Sequence, residues 1–218
     1  MAGYRANGIF AAMFFLLQSG LWQKLVEFDQ WLFIKINSQW TNPVFDSLMP
    51  FMRNGLHWIP LYLFFGVFAI VNFKKDGAWW CLLLLVTVAM TDLAGTYIFK
   101  HNIARVRPCN SMTFQAYVRL LLDHCSYGNS FISNHSANHV GMGVFFFFTM
   151  KHVIGKWAFI GVLWGLLIAY SQVYVGVHYP FDVLAGALVG LIFGIFTSTV
   201  FNKRFGFATF ENQPTKSS

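Results

Sequence analysis

Four stretches of this chain, 57–73, 78–99, 157–177 and 181–202, run almost without charge, holding between them only Asp92 and Asp182. All four are near the ~20 residues needed to cross ~30 Å of hydrocarbon. Backbone groups in hydrocarbon have no water to bond, so such spans are expected as helices. A fifth stretch, 136–150, is more polar at its start. The chain is 56% hydrophobic, 19% aromatic and 11% charged over 218 residues. Soluble domains carry roughly a quarter charged residues. So many apolar groups cannot all hide in a core of this size. The expected fold is an all-α integral membrane helical bundle of five or six transmembrane helices.

The net charge of +7 does not imply nucleic acid, because no stretch interleaves basic and aromatic residues on a polar background. The basic residues instead punctuate the apolar segments. Lys74 and Lys75, Lys151 and Lys156, and Lys203 and Arg204 each follow a span. With five alternating crossings they share one side, which the positive-inside rule assigns to the cytoplasm. Loop 100–135 and turn 178–180 then share the opposite face, periplasmic if the membrane is a bacterial inner membrane. Residues 1–20 form an apolar N-terminal segment with three readings: a span, an interfacial helix or a signal-like sequence. Residues 21–36 place Leu21, Leu25, Leu32 and Ile36 at helical spacing, as in an interfacial amphipathic helix. The catalytic unit is expected over 21–202, and 203–218 reads as a cytoplasmic polar tail.

The outer face gathers the chemistry. Lys100, Arg105, Arg107 and Pro108 follow the second span; Ser133, Asn134, His135 and His139 open the 136–150 segment; Gln172, His178 and Asp182 lie between the last two. Lys100 and Arg107 can neutralise phosphate oxygens, arginine through two parallel bonds. Ser133 and Asn134 stand just before a helix, whose free N–H groups and dipole favour an anion. A neutral His178 can attack phosphorus. Asp182, one turn on, can hold the other ring nitrogen. His135 can protonate a departing alkoxide.

In order, the chain reads Lys100 to Arg107-Pro108, then Ile132-Ser133-Asn134-His135, then Ser171-Gln172 with His178 and Asp182. This resembles the K-x6-R-P, P-S-G-H and S-R-x5-H-x3-D motifs of the type 2 phosphatidic acid phosphatase (PAP2) family of membrane lipid phosphatases, over roughly 25–202. The resemblance implies a metal-independent hydrolase, without cofactor, that works through a phosphohistidine intermediate. Its substrate would be a lipid phosphate or diphosphate: a polyprenyl diphosphate, lipid A or a phosphatidyl phosphate. By position, His178 would be the nucleophile, Asp182 its orienting partner and His135 the general acid. Lys100, Arg107, Ser133, Asn134 and Gln172 would surround the phosphate. A phosphotransferase using the same phosphohistidine, and a low-activity or non-catalytic lipid-binding protein, are the alternatives. Oligomeric state is not legible.

The third motif lacks its arginine and the second its proline and glycine. A charge-assisted bond contributes ~1.5–3 kcal/mol and a neutral one ~1, so Gln172 costs the site a charge. Arg105 is the candidate accessory that would replace it, and restoring arginine at 172 is expected to speed turnover. Cys109 and Cys125 share the outer loop, where an oxidising compartment permits a disulfide between them. Asp92, about two turns inside its span, needs a partner: Gln172 or Tyr170 at the site floor, or a neighbouring helix.

Overall fold

The computed structural model describes residues 20–207, which are helical apart from their loops and contain no strand. Residues 1–19 and 208–218, which carry most of the N-terminal segment and the polar tail, lie outside that range. Helix α1 covers Gly20–Ile34 and ends in a π-helical turn, Lys35–Gln39. Helix α2 covers Pro43–Arg53, α3 Ile59–Leu93 with a π-helical continuation Ala94–Lys100, α4 Asn134–Ile154, α5 Phe159–Tyr174 and α6 Pro180–Arg204.

Hydropathy gives no signal for α2, but its local chemistry is complete. Asn42 caps it by accepting from the Phe45 N–H, Pro43 occupies the first turn, and Asp46 and Arg53 sit at the dipole ends that favour them. In α1 the expected helix forms. Asp29 and Phe33 are buried, while Leu21 and Leu25 are exposed together with Trp22, Phe28 and Trp31. The apolar residues so exposed suit an interface with lipid, while the inner face carries an ion pair through Asp29.

Among the described residues, three helical stretches are long and apolar enough to cross a membrane: Gly55–Lys100, Asn134–Tyr174 and Pro180–Arg204. The first two fold back on themselves. At Lys74 the backbone leaves the helical region (φ 49°, ψ −115°), after which Gly77 packs on Ala69 and the Cys81 thiol faces the Gly66 carbonyl at 3.8 Å. Gly155 (φ 61°) turns the second, so that Gly143 meets Gly161 and, four residues back, His139 meets Gly165. Helix α6 runs parallel to α4: Gly186, Gly190 and Gly194 step along the backbone of Ser133, Ala137 and Gly141. A side chain at any of the three would strike that backbone, which is the small-residue logic of close helix approach in lipid. Antiparallel to α4, the second half of α3 is joined to it by Trp80 Nε1–H to Thr149 Oγ1 (2.8 Å) and Thr91 Oγ1–H to Asn138 Oδ1 (2.7 Å).

Five apolar helical rods therefore alternate in direction. Lys74 and Lys75, Lys156, and Lys203 and Arg204 collect at one end; loops 100–133 and 175–179 and the end of α2 collect at the other. Leu63, Phe64, Val67, Leu85, Leu188 and Ile192 point outward with more than half their surface exposed. Such a surface suits lipid and not water.

Candidate active site

Helix α5 ends at Tyr174 and α6 begins at Pro180, leaving a five-residue turn that carries His178. Gly176 takes φ 94° there, and a Cβ would press on the Arg119 carbonyl at 3.0 Å. Asn37 ties the turn down by donating to the carbonyls of Tyr174 (2.7 Å) and Arg119 (2.8 Å). Asp182, in the first turn of α6, accepts the Tyr179 N–H through Oδ2 at 2.9 Å. The carboxylate that caps the helix thus also faces the histidine.

His178 is buried. Its Nδ1 faces Ser130 Oγ at 3.3 Å and Asp182 Oδ2 at 3.7 Å, and the Ser130 hydroxyl donates to the same Oδ2. Its Nε2 faces Arg107 Nη1 at 2.8 Å. A guanidinium can only donate, so Nε2 must accept and the ring proton belongs on Nδ1. Burial, opposed by the Asp182 bond, pulls the His178 pKa down to about 4. The imidazole is therefore neutral at pH 7, with its lone pair on the nitrogen that faces the arginine. After correction for substrate ionisation, the acid limb of kcat/KM is expected near pH 4, where protonation of Nε2 removes that lone pair. A limb centred at the ordinary histidine value of ~6.5 would contradict this placement.

Arg107 is held by the carbonyls of Val177 (3.1 Å) and Gly128 (3.2 Å). Burial, and then the charge of Arg53, lower its pKa to about 10, so it stays cationic. Lys100 ends the π-helical turn after α3, within electrostatic reach of Arg107, His135 and His178. Ser133 caps α4, its Oγ accepting from the Ser136 N–H at 3.4 Å. His135, one residue into that helix, lines an outer cavity of about 570 Å³ with Arg53, Ser126, Asn54 and His124. Cys109 and Cys125 form a disulfide with their Cα atoms 5.9 Å apart. It joins the residue after Arg107-Pro108 to the residue before Ser126.

The PAP2 superfamily model matches residues 78–206, more than half the chain. The chain belongs to the PAP2 superfamily. Its enzyme class is that of the PAP2 lipid phosphatases, hydrolases of phosphoric esters and anhydrides. It is 26% identical over 178 residues to a lipid A 4'-phosphatase of Porphyromonas gingivalis, covering 81% of this chain and 74% of that protein. It is 30% identical over 134 residues to an undecaprenyl-diphosphatase of Sulfolobus acidocaldarius, covering 61% of this chain and 58% of that one. A crystal structure of a transmembrane PAP2-type phosphatidylglycerolphosphate phosphatase from Bacillus subtilis shares the fold (TM-score 0.65, 24% identity, 92% of this chain and 98% of that one).

Asn134, Arg105 and Gln172 are placed otherwise than expected. The Asn134 side chain turns away from His178 and donates to Asp92 Oδ1 (2.8 Å) and Thr96 Oγ1 (3.1 Å). Only its backbone N–H remains at the helix start to meet an anion. Asp92 thereby finds its partners on α4, Asn134 and Asn138, and not in Gln172 or Tyr170. Arg105 is not free to replace the missing arginine. Two buried carboxylates hold it, Asp182 Oδ1 at 2.6 Å and Asp29 Oδ2, and it stacks on the Tyr179 ring at 4.1 Å. Asp29 also accepts the Phe181 N–H at 2.9 Å, so α1 clamps the start of α6. Gln172 is fully buried. Its Oε1 accepts from Arg53 Nε at 3.1 Å, and its amide donates to the Ile168 carbonyl and Ser171 Oγ.

Arg53, Ser130 and Asp29 were not among the residues singled out by sequence. Arg53 carried one signal, its place in the last turn of a capped helix beside the outer loop. Ser130 carried none, because a loop serine has no spacing to obey.

Proposed function

We propose that this PAP2 protein dephosphorylates a membrane lipid through a phosphohistidine on His178. The observation that supports this best is the division of the His178 ring between Ser130–Asp182 on Nδ1 and Arg107 on Nε2. A phosphoryl group in front of Nε2 would meet Arg107 and Lys100 at once. The Nε2 lone pair forms the P–N bond as the P–O bond to the lipid breaks. His135 takes up a proton as the phosphate anion binds among these cations and gives it to the leaving oxygen. Asp182, with Ser130 between, stabilises the charge that appears on the imidazole. Water then attacks phosphorus, giving a proton to His135, and the P–N electron pair returns to His178 as orthophosphate leaves. The N–H groups that open α4 behind Ser133 would hold the equatorial oxygens.

A lipid substrate is supported by a second cavity of about 400 Å³ between the first half of α3, α4 and α5. Its walls include Trp58, Tyr62, Phe65, Phe146 and Trp164. His139 stands one turn below His135 and links to that wall through Tyr62 Oη (3.3 Å) and the Trp164 ring (5.2 Å). An acyl or prenyl tail could lie there while its phosphate reached His178. Lipid A phosphate, polyprenyl diphosphate and phosphatidyl phosphates are the candidates, given the relatives' activities. We place the site on the extracytoplasmic face of a bacterial inner membrane, because the lysine-rich turns collect at the other end and the disulfide suits an oxidising compartment. The catalytic unit runs over 21–202 in this reading, since Asp29 and Arg53 join the site from helices ahead of the family match.

Phosphate release from a panel of these lipids in detergent, with EDTA present, tests the reading. Turnover of at least one lipid, unaffected by EDTA, is expected. Turnover abolished by EDTA would overturn the metal-free mechanism, and no turnover of any lipid would overturn the phosphatase assignment.

A further inference from the structure

We propose that Arg53 is a phosphate-binding residue of this site, and that Gln172 is the residue that positions it. The inference rests on the phosphatase reading for the nature of the ligand, and on its own geometry for the residue. Arg53 is the last residue of α2, a helix that brings no other cation to the His135 cavity. Its Nε–H is fixed by Gln172 Oε1 at 3.1 Å and one Nη2–H by Ser126 Oγ at 2.9 Å. Both anchors are neutral. Among the described residues, no carboxylate pairs with it. A half-buried guanidinium with neutral partners keeps its full charge for something else. The other arginines near the site are committed differently, Arg105 to two carboxylates and Arg107 partly to backbone carbonyls.

The direction of that charge is also on view. Arg53 and His135 line the same outer cavity, and Arg53 acts electrostatically on both His135 and Arg107. Arg53 and Lys100 thus act on His135, and Arg107 and Lys100 on His178. Like charges held this close repel unless an anion joins them. Gln172 is well chosen as the holder: its oxygen accepts from Arg53, whereas an arginine there would set two guanidiniums face to face in a buried place. The disulfide binds the arrangement together. Cys109 follows the Arg107-Pro108 pair, and Cys125 precedes Ser126, the second anchor of Arg53. One covalent link therefore ties the Arg107 loop to the segment that anchors Arg53.

This reverses the expectation for position 172. Gln172→Arg alone is expected to lose activity. The double variant Arg53→Gln/Gln172→Arg, which moves the charge from α2 to α5, is expected to recover to within about tenfold of wild type. Arg53→Ala is expected to lower kcat/KM about 100-fold, the effect of removing one donor from a developing anion. Arg53→Lys keeps the charge without the planar Nε–H and should fall between, with most of its loss in KM. Orthophosphate supplies a readout that does not need turnover. It should raise the Tm of the detergent-purified wild type and shift Arg53→Ala much less, with Arg53→Lys standing in if the alanine variant does not fold. Activity and orthophosphate response in Arg53→Ala within threefold of wild type would overturn the proposal, as would a faster Gln172→Arg. A wild type that turns over no lipid yet loses its orthophosphate response in Arg53→Ala would sink the phosphatase reading and leave this one standing.

Discussion

Asp182→Asn is expected to lower turnover about 10³- to 10⁴-fold, the loss that follows when the acceptor behind a catalytic histidine becomes an amide. The carboxylate does four things at once. It accepts from Ser130 and from the Tyr179 N–H through Oδ2, faces His178 Nδ1, and pairs with Arg105 through Oδ1. An amide can fill only some of these places, and its NH2 would point a donor at one of them. His178 then loses the group that keeps its proton on Nδ1, and the lone pair need no longer face phosphorus. Stability should fall too. Removing one member of a buried pair costs about 3–5 kcal/mol, here reduced because Arg105 is 24% exposed and keeps Asp29. Asp29→Asn separates the two effects. It removes the other carboxylate of Arg105 without touching His178, so it should lower Tm while reducing kcat less than about tenfold, within the range of indirect positioning effects. Equal losses in the two variants would mean that Asp182 acts through Arg105 and not through His178.

His178→Ala should lose more, on the order of 10⁵-fold or greater, as when a covalent nucleophile is removed. His135→Ala should lose less, about 10²- to 10⁴-fold, because a general acid assists a step it does not create. The loss at His135 should shrink for a substrate whose leaving group is a phosphate or phenolate, which departs without a proton. The loss at His178 should not depend on the leaving group. A His178→Ala variant with more than a hundredth of wild-type activity would mean that water attacks the lipid directly.

Much of this architecture was legible because lipid imposes simple rules. Uncharged runs of about twenty residues must be helices, and lysines beyond each run mark the ends that share a side. The alternation of the five rods and the glycine ladder from Gly186 to Gly194 follow from that pattern. That Arg107, His178 and Asp182 lie together was legible, because the motif spacing survives in their geometry. What could not be read depends on rotamers and on elements with no periodic signal. Asn134 and Arg105 stand where an anion site would want them, yet each has a stronger partner nearby, Asp92 and the Asp29–Asp182 pair. Hydropathy marks Leu21 and Leu25 as an interfacial face of α1 and gives no hint that Asp29 on the same helix is buried in an ion pair. Arg53 lies 119 residues from Gln172, too far for any motif to link them.

The account rests on a phosphoryl group passing through His178 Nε2. Mixing the protein with a 32P-labelled lipid phosphate, quenching in base within the first turnover and mapping the label tests this most directly. The expected result is a base-stable, acid-labile phosphoryl group on the peptide containing His178, absent from the His178→Ala variant. Full turnover with no labelled protein, or label on a serine or aspartate, would contradict it.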